Sequence, residues 1–320
     1  MSYYKKHRIY LWDFFNEFLI YSKSAYSINH YNSLRTTFNA FLSFCGKITL
    51  NKLNRYLVIT FIDSRMKYLS PHTIRRDIAD LSSAFHWGIN RGYLKENFTK
   101  GIVKPKIIQK LPVYFRESEF QLLVQNTEDD DLKDLFLFVI NTGLRETEVC
   151  ELRWSQIDLK HKTLVLDNLV SITKNKKVRA IPLNIASMQI LLARERKRQT
   201  NGDSISFVFT YKREKIRQQF ISHKIKKIIR KAGLRNELNF YSLRKSFGSY
   251  LAQKGVPIYN ISKLMGHSDP RLTTQMYAAL NVDDLRESVE ILNNQNISIN
   301  DQDIIKETYK ILNNGGTINE

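Results

Sequence analysis

Cysteine is nearly absent from this chain, with two among 320 residues, Cys45 and Cys150. That count excludes a disulfide framework, and the apolar neighbours of both predict small buried side chains. No run of 18 apolar residues occurs, so the sequence predicts no membrane span. The opening Lys5-Lys6-His7-Arg8 leads into Asp13, Asn16 and Glu17, which is no signal-peptide core. Repeats and long low-complexity segments are missing too. The seven histidines are scattered, without a His-Glu-x-x-His pair. There is no cysteine pair, no glycine-rich phosphate loop and no Gly-x-Ser-x-Gly. Metal-assisted hydrolysis and nucleotide-driven chemistry are therefore unsupported, and no cofactor or metal site is expected. The sequence reads as that of a soluble, cytoplasmic protein.

What is present is positive charge. The net charge is +19, from 50 basic and 31 acidic residues. Residues 281–320 hold 3 basic and 8 acidic residues, a net of −5, so residues 1–280 carry +24. Such an excess suits a polyanion, because each Lys or Arg placed on a phosphate releases condensed counterions. A membrane surface is the weaker alternative, since no stretch reads as a lipid-facing basic helix.

The hydrophobic pattern is mainly helical. Apolar residues at three- and four-residue spacing predict helices over 9–24 and 29–46, and Leu57, Phe61 and Ile62 continue the theme. Ser70-Pro71 reads as an N-cap and first turn, opening a helix through Ile74, Ile78, Leu81 and Phe85 that ends near Asn90-Arg91-Gly92. Arg75 and Arg76 lie on its polar side. Residues 1–98 are read as a helical DNA-binding domain. Residues 99–115, with two prolines and a run of lysines, read as an extended basic linker. A second domain, 116–282, is expected to be α+β, with a helix to about Gln125 and another over Leu132–Asn141. The acidic cluster Glu128–Asp131 offsets that helix's dipole, and this reading is preferred to a metal site. Strands are expected at 163–167 and 178–183, joined by a basic turn at Lys174–Lys177, with another short strand near Phe207–Thr210. Residues after 215 read as helix, with Gly255 ending one helix and Pro257 in the first turn of the next. The fold class is thus mainly α with a small antiparallel sheet, followed by a tail at 283–320.

Chemistry-bearing residues follow in order along the second domain. Thr142-Gly143-Leu144-Arg145 is followed by Glu148, three residues on. Lys174 lies in the basic run Thr173–Arg179, and Arg244 ends Tyr241-Ser242-Leu243-Arg244. His267 follows Leu264-Met265-Gly266, and Tyr277 ends Thr273-Thr274-Gln275-Met276-Tyr277. Singly, each has an ordinary structural explanation. Together and in this order they resemble the tyrosine recombinases, the family of phage integrases and bacterial chromosome-resolution recombinases. The resemblance implies Arg145 and Arg244 as activating arginines, Lys174 as proton donor to the leaving oxygen, His267 as the second histidine-type residue, and Tyr277 as nucleophile. It places Glu148 as a supporting acid. It also implies a 3′-phosphotyrosine intermediate and metal-independent cleavage and rejoining of double-stranded DNA by a homo-tetramer, with no small-molecule substrate. Two guanidinium groups can grip non-bridging oxygens as charge develops on them.

Two positions depart from that pattern. Tyr241 stands where the family usually has histidine, and a phenol is a poor proton acceptor at neutral pH. The loop Ser268–Leu272 is one residue longer than the common spacing. The basic face of the helix at Ser222–Lys231 is expected to meet duplex backbone. The acidic tail carries apolar residues such as Val289, Ile291 and Leu292, and is expected to pack either on a neighbouring protomer or on its own domain. The alternatives are a non-enzymatic DNA-binding protein that keeps the fold and a topoisomerase-like relaxing enzyme.

Overall fold

The computed structural model describes residues 9–108, 112–167, 178–202, 205–267, 269, 271, 273 and 274. The chain divides into two compact units, with the division after Gln109.

The first unit is a four-helix bundle made of α1 (Leu11–Ala25), α2 (Ile28–Cys45), α3 (Arg55–Met66) and α4 (Pro71–Asn90). Side-chain caps start three of them: Ser27, Asn54 and Ser70 accept the backbone N–H groups of His30, Leu57 and Thr73. Pro71 occupies the first turn of α4, where no intrahelical N–H is needed. The core is strongly aromatic. Phe15 stacks on Phe38 at 4.3 Å between ring centroids, and Phe61 meets Phe41 edge-on at 4.9 Å. Two buried carboxylates of α4 tie the helices together. Asp77 pairs with Arg65 of α3, and Asp80 accepts from Ser33 and Thr37 of α2. Arg75 is exposed, as its polar-side placement requires.

The second unit is built round α6 (Asp130–Thr142) and α10 (Phe240–Gln253), which pack directly against each other. α5 (Glu117–Gln125) precedes them, and α7 (Glu146–Glu151) follows the turn after α6. Then come β1 (Ile157–Asp158), β2 (Thr163–Leu166) and β3 (Arg179–Pro182), an antiparallel sheet in sequential order. Thr163 faces Pro182 and Leu166 faces Arg179. α8 (Ile185–Thr200), a hairpin of β4 (Thr210–Tyr211) and β5 (Glu214–Lys215), α9 (Gln218–Lys231) and α11 (Ile258–Met265) complete the described elements. Phe136, Phe138 and Val139 of α6, Leu243 of α10 and Ile221, Ile225 and Ile229 of α9 lie in one core. The isoleucines fall four residues apart, which turns the basic side of α9 outward. The fold is mainly helical with small antiparallel sheets.

Several details depart from the sequence reading. α8 and β1 are additions. The expected strand near Phe207 is displaced to Thr210–Tyr211, and Phe207 itself makes an isolated bridge to Arg153. Pro257 is the N-cap of α11 instead of a first-turn residue. Residues 232–239 form turns between α9 and α10, not helix. Cys45 is half-buried while Cys150 is buried, and burial pushes their thiols up to about 11 and about 12. The acidic cluster is accounted for without an ion: Asp129 caps α6, and Asp131 pairs with Arg194. In the segment read as a linker, Thr99 is buried with the first unit and Phe115 lies in the second core. Among the described residues no helix is long and apolar enough to cross a membrane.

Candidate active site

The site begins at the C-terminus of α6. Gly143 caps that helix in the left-handed region, with φ of 65°. A Cβ there would stand 2.4 Å from Cδ1 of Phe247, so the position demands glycine for space as well as for conformation. The turn delivers Arg145 to the N-cap of α7. Glu148 closes a capping box by accepting the backbone N–H of Arg145 at 2.8 Å. Its proximity to Arg145 therefore comes from capping, not from two side chains sharing a helix face.

Glu148 is the hub. Its side chain is 4% exposed and accepts four hydrogen bonds. Two come from Arg145, through the backbone N and through Nη1 at 2.8 Å. Arg179 gives the other two as a fork, Nη1 at 3.0 Å and Nη2 at 2.7 Å. Burial pushes the carboxyl up, but Arg179 and then Arg145 outweigh it and hold Glu148 below the ordinary carboxylate range. Arg145 also donates through Nη2 to the carbonyl of Gly266 at 2.9 Å.

Arg244 enters from the second turn of α10 and is the largest fully buried side chain described, at 1% exposure. Its guanidinium donates to the carbonyls of Gly143 and Met265. Burial, then repulsion from Arg145, pull it down to about 10, so it stays a cation at neutral pH. Arg145, by contrast, keeps 34% of its side chain exposed and so offers an open cationic face.

His267 follows Gly266, the left-handed C-cap of α11. Its Nδ1 lies 2.7 Å from the hydroxyl of Thr273. Burial, then Arg244, Arg145 and Arg179, push the imidazole down to about 4. It is therefore neutral at physiological pH. With three guanidiniums, one carboxylate and a neutral imidazole, the cluster carries +3 − 1 = +2, a field suited to a phosphodiester anion.

The structure thus brings Arg145, Glu148, Arg244 and His267 together from three separate segments. Tyr241, one turn before Arg244, is 44% exposed, and Nζ of Lys245 lies 5.4 Å from its ring centroid. Lys174, Tyr277 and the tail at 283–320 lie outside the described residues. Arg179 is the residue that sequence reasoning missed as a member of the cluster. A signal existed: in Arg179-Ala180-Ile181-Pro182 the arginine is in phase with buried Ile181, so strand alternation turns a charged side chain inward. Among the described residues no group of acidic, histidine and cysteine side chains is placed to hold a metal ion.

Comparison with known proteins gives the family and the fold. The sequence matches the phage integrase family over residues 114–283. It is 28% identical over 217 residues to the tyrosine recombinase XerC of Xanthomonas axonopodis pv. citri, covering 66% of this chain and 68% of that protein. It is 29% identical over 188 residues to the tyrosine recombinase XerA of Pyrococcus horikoshii, covering 58% of this chain and 63% of that one. Among solved structures, a lambda integrase dimer bound to a COC′ core site superposes with a TM-score of 0.71 at 16% identity, over 83% of this chain and 77% of that chain. The Tn1549 transposon integrase in complex with a circular intermediate DNA gives 0.72 at 17% identity, over 87% and 98%. At such identities the structural likeness is one of fold. The family match takes in more than half of the sequence, including every residue of the cationic cluster, and this chain belongs to the phage integrase family.

Proposed function

We propose that this chain is a site-specific DNA recombinase that cuts and rejoins duplex DNA through Tyr277. The observation that carries the reading is the convergence of Arg145, Arg244 and neutral His267 round one buried carboxylate. In the proposed reaction the Tyr277 oxygen attacks the scissile phosphorus and its proton passes to water or a nearby acceptor. The bond from phosphorus to the 5′ oxygen breaks, and Lys174 protonates that oxygen. A 3′-phosphotyrosine ester and a free 5′ hydroxyl result. Because the ester replaces an ester, the reverse attack reseals the strand without an external energy source.

Each described residue has a part that its environment fits. Arg145 and Arg244 stabilise the charge growing on the non-bridging oxygens, which elsewhere is a divalent ion's work. His267 stays uncharged. With the Thr273 hydroxyl donating to Nδ1, its Nε2 hydrogen is available to a phosphate oxygen. Tyr241 lines the approach as a hydrogen-bond donor. The helical domain at 1–98, the linker at 99–115 and the basic face of α9 hold the duplex, and the catalytic domain at 116–282 acts on it. A homo-tetramer on DNA, with the tail at 283–320 contributing to assembly, completes the scheme for a soluble cytoplasmic enzyme.

The test is a nicked duplex carrying the recombination site, isolated by binding selection from a random duplex library. The native chain gives a protein–DNA adduct that survives denaturation, and Tyr277→Phe gives none. A native chain that binds its site yet forms no adduct is a DNA-binding module, and the enzymatic reading fails.

A further inference from the structure

Arg179 stands outside every role assigned above, yet it supplies half of the hydrogen bonds to the site's carboxylate. It opens β3, and its guanidinium grips both oxygens of Glu148. Only 12% of its side chain is exposed, and its Nε is buried without a partner among the described residues. Both terminal nitrogens of this guanidinium are committed to the carboxylate. Its second contact is with the backbone of Gly266. A Cβ on that residue would lie 2.4 Å from Nη1 and 2.8 Å from Cδ of Arg179. The glycine, at φ of 62°, is pressed directly onto the guanidinium stem, while its carbonyl accepts from Arg145. Arg179 therefore grips the carboxylate that fixes Arg145 and packs against the glycine whose carbonyl also fixes it, in the turn that presents His267. In sequence it follows Lys174 by five residues, on the strand that the connection containing Lys174 enters.

We infer that Arg179 is a positioning residue of the cleavage centre, holding Glu148 and the Gly266 turn so that Arg145 meets the scissile phosphate in one fixed orientation. The inference rests on the cleavage reading given above. A preorganised donor acts on the transition state only while it is held in place, and removing one such donor costs about 100–1,000-fold in rate. A flexible ammonium cannot reproduce a planar fork, so lysine is not a conservative replacement here.

The experiment is single-turnover cleavage by the full chain on three nicked duplexes of one sequence, with native protein, Arg179→Met and Arg179→Lys. The first duplex has an ordinary phosphodiester. The second has a methylphosphonate at the scissile position, which lacks the negative charge that Arg145 answers. In the third the bridging 5′ oxygen is sulfur, a leaving group that needs no proton donor. Arg179→Met is expected to lose about 100-fold on the phosphodiester with DNA affinity unchanged, and Arg179→Lys to recover at most about a tenth of the native rate. On the methylphosphonate the loss shrinks to about tenfold or less, while on the sulfur substrate it persists. An equal loss on all three duplexes marks a general folding role and overturns the inference. So does rescue by the sulfur substrate alone, which would place the action of Arg179 on the leaving-group donor. If Arg179→Met does not fold, the same comparison is read on Arg179→Lys. Undiminished adduct formation by Arg179→Met refutes this inference alone. Absence of any adduct with the native chain refutes the cleavage reading and the inference with it.

Discussion

Replacing Glu148 with glutamine changes one oxygen into an amide NH2 and removes one charge. Each carboxylate oxygen accepts two hydrogen bonds: Oε1 from Nη1 of Arg145 and Nη1 of Arg179, Oε2 from the backbone N of Arg145 and Nη2 of Arg179. Whichever way the amide turns, two donors then face N–H groups. The two arginines also lose their counter-charge beside the buried Arg244. Breaking a buried ion pair from one side costs about 3–5 kcal/mol. The chain supplies its own control. Arg116, Glu119 and Arg235 repeat the arrangement: Glu119 accepts the backbone N–H of its N-cap arginine at 2.8 Å and a fork from Arg235 at 2.6 and 2.8 Å. There, however, the second arginine is 41% exposed, against 12% for Arg179. Water can replace what is lost, so Glu119→Gln is expected to cost about 1 kcal/mol. For a unit of this size each kcal/mol lowers Tm by about 2–4 °C, so Glu148→Gln is expected to fall by about 6–20 °C. Calorimetry of the full chain, following the transition of the second unit, measures both. Equal shifts for the two variants would refute the argument that burial decides the strength of this motif.

Two further outcomes are expected. Gly143→Ala puts a methyl group at 2.4 Å from Phe247 in a left-handed conformation. Urea unfolding should show a loss of about 2–4 kcal/mol, from backbone strain together with overpacking. His267 has a folded value near 4, pushed down from 6.5. As pH falls from 6.5 towards 4, the unfolded chain takes up a proton that the folded site refuses, so this residue's contribution to stability declines through that window. The difference in stability between the native protein and His267→Gln, measured by urea titration at pH 7, 5.5 and 4.5, should shrink with acidification. A difference independent of pH would contradict a buried neutral imidazole.

The legible parts of the fold were those governed by local rules. Ser70-Pro71 marked the start of α4 because a hydroxyl cap and a first-turn proline need only their own neighbours. The isoleucines of α9 announced its buried side by spacing alone. α8 was illegible because its described buried positions are Ser187, Leu191 and Arg194, a stripe with little apolar signal. Arg194 is there for its pairing with Asp131 and Asp134, which no local pattern reveals. At the site, the resemblance to the tyrosine recombinases singled out Arg145, Arg244 and His267, and the fold brings these three together. Arg179 was read only as the end of a basic hairpin, since its partner lies 31 residues upstream. The burial of Arg244 was not legible either, because its two carbonyl acceptors lie 101 and 21 residues away.

The cluster's bonds also set when the site can exist. Arg145 is held by a carbonyl 121 residues further along the chain, and Arg244 by one 101 residues before it. Contacts of such long separation form late in folding, after shorter loops have closed. A chain still on the ribosome, or one cut short before residue 265, has its arginines but lacks the Met265 and Gly266 carbonyls that complete their hold. On the proposed function, the cluster that would act on a phosphodiester is therefore complete only once the chain has been made and folded beyond residue 266.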